Sequence, residues 1–142
     1  MITAVDTNVL LDVLLPDPTF GAASKERLQM ASRQGALLIC EIVYAELAGF
    51  FPKPETLDDF LQQAGIQVKP SEPQTLWYAG SLWRRFCVDR PRRSTLARRL
   101  LADFLIGAHA MRQAEQLLTR DQDFYHTVFA GLRLLSPSES TP

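Results

Sequence analysis

The sequence predicts an α/β fold, a parallel sheet covered by helices on both faces. Three observations predict it. Five short apolar runs have strand length, helix-like segments separate them, and Gly or Pro stands at most of the joins. Strand–helix alternation of this kind builds parallel sheets with helices on either side. A chain of 142 residues is of single-domain size. We expect one domain over residues 1–136 and a flexible Ser/Pro/Thr-rich tail over 137–142.

Met1 to Val5 is apolar and β-branched and stops at Asp6-Thr7-Asn8, as a buried strand does at a turn. Val9 to Leu15, closed by Pro16 and Pro18, suits a short helix. Phe20 to Gln34 has helical composition and ends at Gly35. Ala36 to Cys40 is the second strand. Ile42 to Ala48 reads as a helix with Ile42, Ala45 and Leu47 near one side. Glu55 to Ala64 is a helix stopped by Gly65. Ile66 to Lys69 is a strand before Pro70. Glu72 to Val88 reads as one longer helix, its Leu76, Trp77, Ala79, Leu82, Trp83 and Phe86 assigned first to core packing. Asp89 to Thr95 is an Arg-rich loop. Asp103 to Gln113 is a strongly apolar helix whose start is open. Gln116 to Thr119 is a strand, Arg120 to Phe124 a polar turn, and Leu132 to Leu135 the last strand.

Composition excludes several classes. Hydrophobic residues are 46% and charged residues 22%, ordinary values for a globular chain. No run approaches the ~18 apolar residues of a membrane span. Asp6 and Asp12 interrupt the N-terminal apolar stretch, which also lacks the basic start of a signal peptide. Two cysteines, Cys40 and Cys87, make no disulfide framework and no zinc-site spacing. We therefore expect a cytoplasmic protein. No Walker A loop, G-x-G-x-x-G or G-x-S-x-G is present. His109 is read as a packing residue and His126 as solvent-facing.

The chemistry rests on acids. In open parallel sheets, ligands bind beyond the carboxyl ends of the strands. Asp6 follows the first strand, Glu46 lies in the helix after the second, and Asp121 and Asp123 follow the fourth. Each has a plain alternative. Asp6 can be a helix cap or a turn residue. Glu46 taken alone is better read as the solvated edge of its helix. Asp103 is the only charge between Leu100 and Ala110. It is a cap if the helix starts there. If the helix starts earlier, a charge among apolar residues needs a partner or a metal. Asp121 and Asp123 can form an Asx turn; the functional reading is favoured for Asp121 and not for Asp123.

The set says more than its members. Carboxylates gathered at one sheet edge repel, and a divalent cation relieves the repulsion. Oxygen-only ligands suit Mg²⁺ or Mn²⁺. Such an ion activates water and holds a phosphate oxygen, which points to phosphodiester hydrolysis. Between positions 84 and 99, seven arginines (Arg84, Arg85, Arg90, Arg92, Arg93, Arg98, Arg99) face a single acid, Asp89. That is a local surplus of six in a chain of net charge −1. It is a solvated loop, a grip for a nucleic-acid backbone, or a surface for an acidic partner. Arg92, Arg93, Arg98 and Arg99 are the backbone candidates.

These residues resemble a known family. Ile2 to Asp12, Tyr44-Ala45-Glu46-Leu47, Ala102 to Ala110 and Leu118 to Phe124 are similar, in order, to the four acidic motifs of PIN-domain ribonucleases. The Thr-Arg-Asp of the fourth is most like VapC-type toxins of bacterial toxin–antitoxin pairs. The resemblance implies a three-layer α/β/α sandwich around a five-stranded parallel sheet. It also implies a Mg²⁺- or Mn²⁺-dependent endoribonuclease, dimeric, silenced by a VapB-type antitoxin. By motif, Asp6, Glu46, Asp103 and Asp121 form the acidic set, Asp123 shares the fourth role, and Asn8 and Thr119 support the carboxylates. Two rivals stand beside this reading. One is a phosphatase with Asp6 as nucleophile, disfavoured because Asn8 stands where its second Asp is wanted. The other is a PIN-like RNA-binding or scaffolding domain without catalysis.

Overall fold

The computed structural model describes residues 1–88 and 101–137. The arginines at 90, 92, 93, 98 and 99, and residues 138–142 of the expected tail, lie outside the described residues. Five parallel strands form one sheet: β1 (Thr3–Val5), β2 (Leu37–Ile39), β3 (Ile66–Val68), β4 (Gln116–Leu118) and β5 (Arg133–Leu135). Their spatial order is β3-β2-β1-β4-β5. Pairing aligns Thr3 with Leu37 on one side and with Gln116 on the other. β1, β2 and β4 are wholly buried, as central parallel strands must be. Thr3 belongs there because its hydroxyl accepts from Gln116 Nε2 at 2.8 Å.

The helices are α1 (Thr7–Leu14), α2 (Gly21–Gln34), α3 (Glu41–Ala48), α4 (Pro54–Gln63), α5 (Pro73–Trp83), α6 (Leu101–Gln113) and α7 (Gln122–Val128). Pro54 and Pro73 open α4 and α5 at the first helical position, where a missing N–H costs nothing. Gly65 has φ +71°, the left-handed turn that lets the chain leave α4 and enter β3. The chain steps from β1 through β2 to β3, then crosses back to β4 and on to β5. Right-handed crossovers place α1–α4 on one face and α5–α7 on the other.

The second face holds an aromatic cluster. The Phe104 and Phe124 rings meet edge-on at 5.2 Å, and Phe129 lies against Tyr78 and Tyr125. A Cβ at Gly107 would stand 2.2 Å from the Phe129 ring, so this position on α6 admits nothing larger than glycine without repacking.

Four expectations need correction. The segment expected as one helix to Val88 changes after Trp83 to a π-type turn, Arg84–Val88. On α5 only Ala79 and Leu82 of the apolar stripe are buried, while Trp77 is 75% exposed. α3 buries Val43 and Leu47 and leaves Ala45 exposed. The polar turn at 120–124 runs straight into α7, whose Phe124, Tyr125 and Val128 are buried, so exposed His126 is helical. Among the described residues no helix is long and apolar enough to cross a membrane.

Candidate functional site

The strand order reverses direction between β1 and β4, and there the crossovers leave a crevice at the carboxyl edge. Asp6 lies in that crevice. Its backbone N–H donates to the Leu118 carbonyl at 2.9 Å, closing β1 onto β4. Its side chain caps α1, accepting from the Thr7 N–H at 2.7 Å. The other oxygen accepts from the Thr119 hydroxyl at 2.7 Å and, at 3.4 Å, from Asn8 Nδ2. Thr119 also accepts from the Asp121 N–H at 3.0 Å. Asp6 is therefore both the cap of α1 and a carboxylate at a strand tip.

Asp6 is 6% exposed. Burial pushes its carboxyl up to about 6, from an ordinary 3.8. The Thr119 hydroxyl, the Thr7 N–H and the Tyr125 hydroxyl pull the other way, and the Asp103 charge adds to the rise. Asp103 sits in the third position of α6 as described, so the helix begins before it and the cap alternative fails. Asp121 stands at the N-cap position of α7 but makes no capping bond with its side chain. The Tyr125 hydroxyl joins the three acids electrically. Burial holds it well above its ordinary value, and the charges of Asp6, Asp103 and Asp121 each push further.

Glu46 and Asp123 differ from that trio. Both are exposed. Glu46 is tied to the site through the Thr7 hydroxyl, which donates to Oε1 at 2.8 Å. Asp123 lies in the first turn of α7. Thr7 and Tyr125 were missed by sequence reasoning. Thr7 could have been flagged as the hydroxyl beside Asp6. Tyr125 needed α7, whose helical spacing puts it one turn after Asp121.

Among the described residues, no group of three Asp, Glu, His or Cys side chains is arranged to hold a metal ion as it stands. The donor chemistry nevertheless fits a hard cation: oxygen ligands only, and a buried carboxylate raised by burial and a like charge. Mg²⁺ keeps several waters and needs only one or two carboxylates, so it does not require a closed cage. A cavity of about 440 Å³ lies elsewhere, against Leu37 and Ile66 where β2 and β3 begin, and has no acid in its lining.

A PIN domain family model matches residues 3–130. The chain belongs to the PIN domain family. Solved structures similar to this PIN domain include VapBC2 of Rickettsia felis bound to a promoter DNA fragment, at 20% identity. That match covers 96% of this chain and 98% of that one, with a TM-score of 0.66. A toxin–antitoxin complex from Klebsiella pneumoniae is 18% identical over 97% and 99% of the two chains, TM-score 0.64. VapBC-1 from nontypeable Haemophilus influenzae is 19% identical over 98% and 100%, TM-score 0.65. At such identities the likeness concerns the fold. A comparison with curated protein sequences finds no match.

Proposed function

We propose that this PIN domain is a divalent-metal-dependent endoribonuclease, the toxin of a type II pair silenced by a VapB-type antitoxin. The observation that carries the proposal is the Asp6 carboxylate. It is buried at the β1–β4 crevice, its pKa is raised, and the partners acting on it are hydroxyls, N–H donors and a like charge. A buried charge of that kind wants a cation. The toxin–antitoxin neighbours support the biological setting.

Asp6, Asp103 and Asp121 would hold Mg²⁺ or Mn²⁺, with Glu46 at the rim and Asp123 a further candidate. The ion when bound supplies Lewis acidity toward a phosphate oxygen and toward water. The chain's own residues do the rest. Thr119 and the Thr7 N–H fix both oxygens of Asp6. Asn8 braces Thr119 from 3.5 Å. Glu46, exposed and anchored by Thr7, would accept a proton at the open side.

The test is cleavage of total cellular RNA by purified protein with Mg²⁺, Mn²⁺ or EDTA, beside the Asp6→Asn, Asp103→Asn double variant. Metal-dependent cutting that the variant lacks is the expected result. The second reading is a PIN-like RNA-binding module without catalysis. RNA binding by the folded protein, with no cutting and no Mn²⁺ uptake, selects it.

A further inference from the structure

Asp12 has no part in the site just described, yet it is a carboxylate on an apolar helix with its side chain 4% exposed. It lies on α1, six residues past Asp6. Arg120 meets it as a fork: Nε donates to Oδ2 and Nη2 to Oδ1, both at 2.9 Å. Ser24 of α2 donates to Oδ2 at 2.7 Å. The guanidinium also lies over the Phe20 ring, 4.3 Å from its centre. Planar, two-pronged pairing and stacking on an aromatic face are what Arg offers and Lys does not.

Arg120 stands between Thr119 and Asp121. Its own N–H donates to Asn8 Oδ1 at 3.3 Å. The loop 119–121 is tied to β5 on its other side, where the Thr119 N–H donates to the Leu135 carbonyl at 3.0 Å. Gln122 Nε2 adds bonds to the carbonyls of Thr119 and Leu135. The side-chain fork of Arg120 ties the loop back to Asp12 of α1, which Ser24 in turn ties to α2. The chain positions involved are 108 residues apart, so only the β1–β4 adjacency brings them together.

We infer that Asp12 and Arg120 are positioning residues: the ion pair clamps the β4–α7 loop to α1 and so fixes Thr119 and Asp121 relative to Asp6. On the nuclease reading, with which the second half of this inference stands, the clamp sets the spacing between acids on two elements that must share one cation. A salt bridge holding only the fold would affect stability alone. A positioning clamp also affects the loop and the site at temperatures where the fold is intact.

The experiment uses Asp12→Asn, Arg120→Gln, the double variant and Arg120→Lys, with Leu57→Ala in the α4 core as a control for lost stability. The first readout needs no metal: amide hydrogen exchange of Asp121, whose N–H bonds to Thr119. We expect at least tenfold faster exchange in each neutral variant, and no further loss in the double variant, because the pair acts as one unit. Core amides of β2 stay protected. Arg120→Lys recovers only part, and Leu57→Ala leaves Asp121 unchanged. The second readout is Mn²⁺ affinity by electron paramagnetic resonance, expected about tenfold weaker in the same variants. Unchanged exchange at Asp121, or equal acceleration in Leu57→Ala, overturns the clamp. Wild-type protein that binds no Mn²⁺ overturns the nuclease reading instead, and exchange at Asp121 still decides the clamp.

Discussion

Helix α1 is capped by one buried aspartate, Asp6, and carries another, Asp12, in opposite circumstances. Asp12 has a guanidinium fork and a serine hydroxyl on its oxygens. Asp6 has two hydroxyls and an N–H at close range, a second carboxylate beyond them, and a pKa pushed up to about 6. The lesson is that burial alone does not mark a functional acid. A buried carboxylate matched by a cation within the chain is a fastener. One left to hydroxyls and like charges sits in a site that gains when a cation comes from outside.

The sharpest way to break the contrast is Asp6→Asn. Cleavage should fall by about a thousandfold or more, since the variant loses a charged ligand. Its stability in EDTA at pH 7 should rise, by up to about 3 kcal/mol for roughly two pKa units. Chemical denaturation beside a cleavage assay reads both; a destabilised Asp6→Asn would make Asp6 another fastener. Asp12→Asn should behave the other way, losing about 2–4 kcal/mol in denaturation because it strands Arg120.

The pH dependence sharpens the same point. The folded-state pKa of Asp6 lies above its unfolded value, so folding takes up a proton there. Its contribution is fully present below pH 3.8 and is lost as pH rises through about 6. In EDTA, the stability difference between wild type and Asp6→Asn should therefore widen from pH 4 to pH 7, read by denaturation midpoints. A constant difference across that range contradicts the burial of an uncompensated charge. Tyr125→Phe removes a hydroxyl that lowers the Asp6 pKa, so that pKa should climb further and cleavage fall about tenfold. Asp123→Asn, on an exposed side chain, should change cleavage by no more than about threefold.

Much of this was readable from residue order. Apolar runs ending at acids put Asp6 and Asp121 at strand tips, and the order of elements brought those tips to one edge. What stayed hidden was long-range or helical. The Asp12–Arg120 pair joins α1 to the β4 exit, and no spacing announces such a pair before the strand order is known. Tyr125 was lost because Arg120 to Phe124 reads as a polar turn, while Phe124, Tyr125 and Val128 are the buried side of a helix of only seven residues. Asp103 was ambiguous until α6 was seen to run from Leu101. The exposure of Glu46 agrees with the plain reading of its helix, although Thr7 ties it to the site.

The most direct test of the central claim is to titrate the Asp6 carboxyl by ¹³C nuclear magnetic resonance, in EDTA and then in Mg²⁺. The account predicts a midpoint near 6 without metal, falling by more than one unit when Mg²⁺ is added, because a cation beside the carboxylate favours its charged form. The same midpoint with and without Mg²⁺ would show that Asp6 holds no ion and would contradict the account.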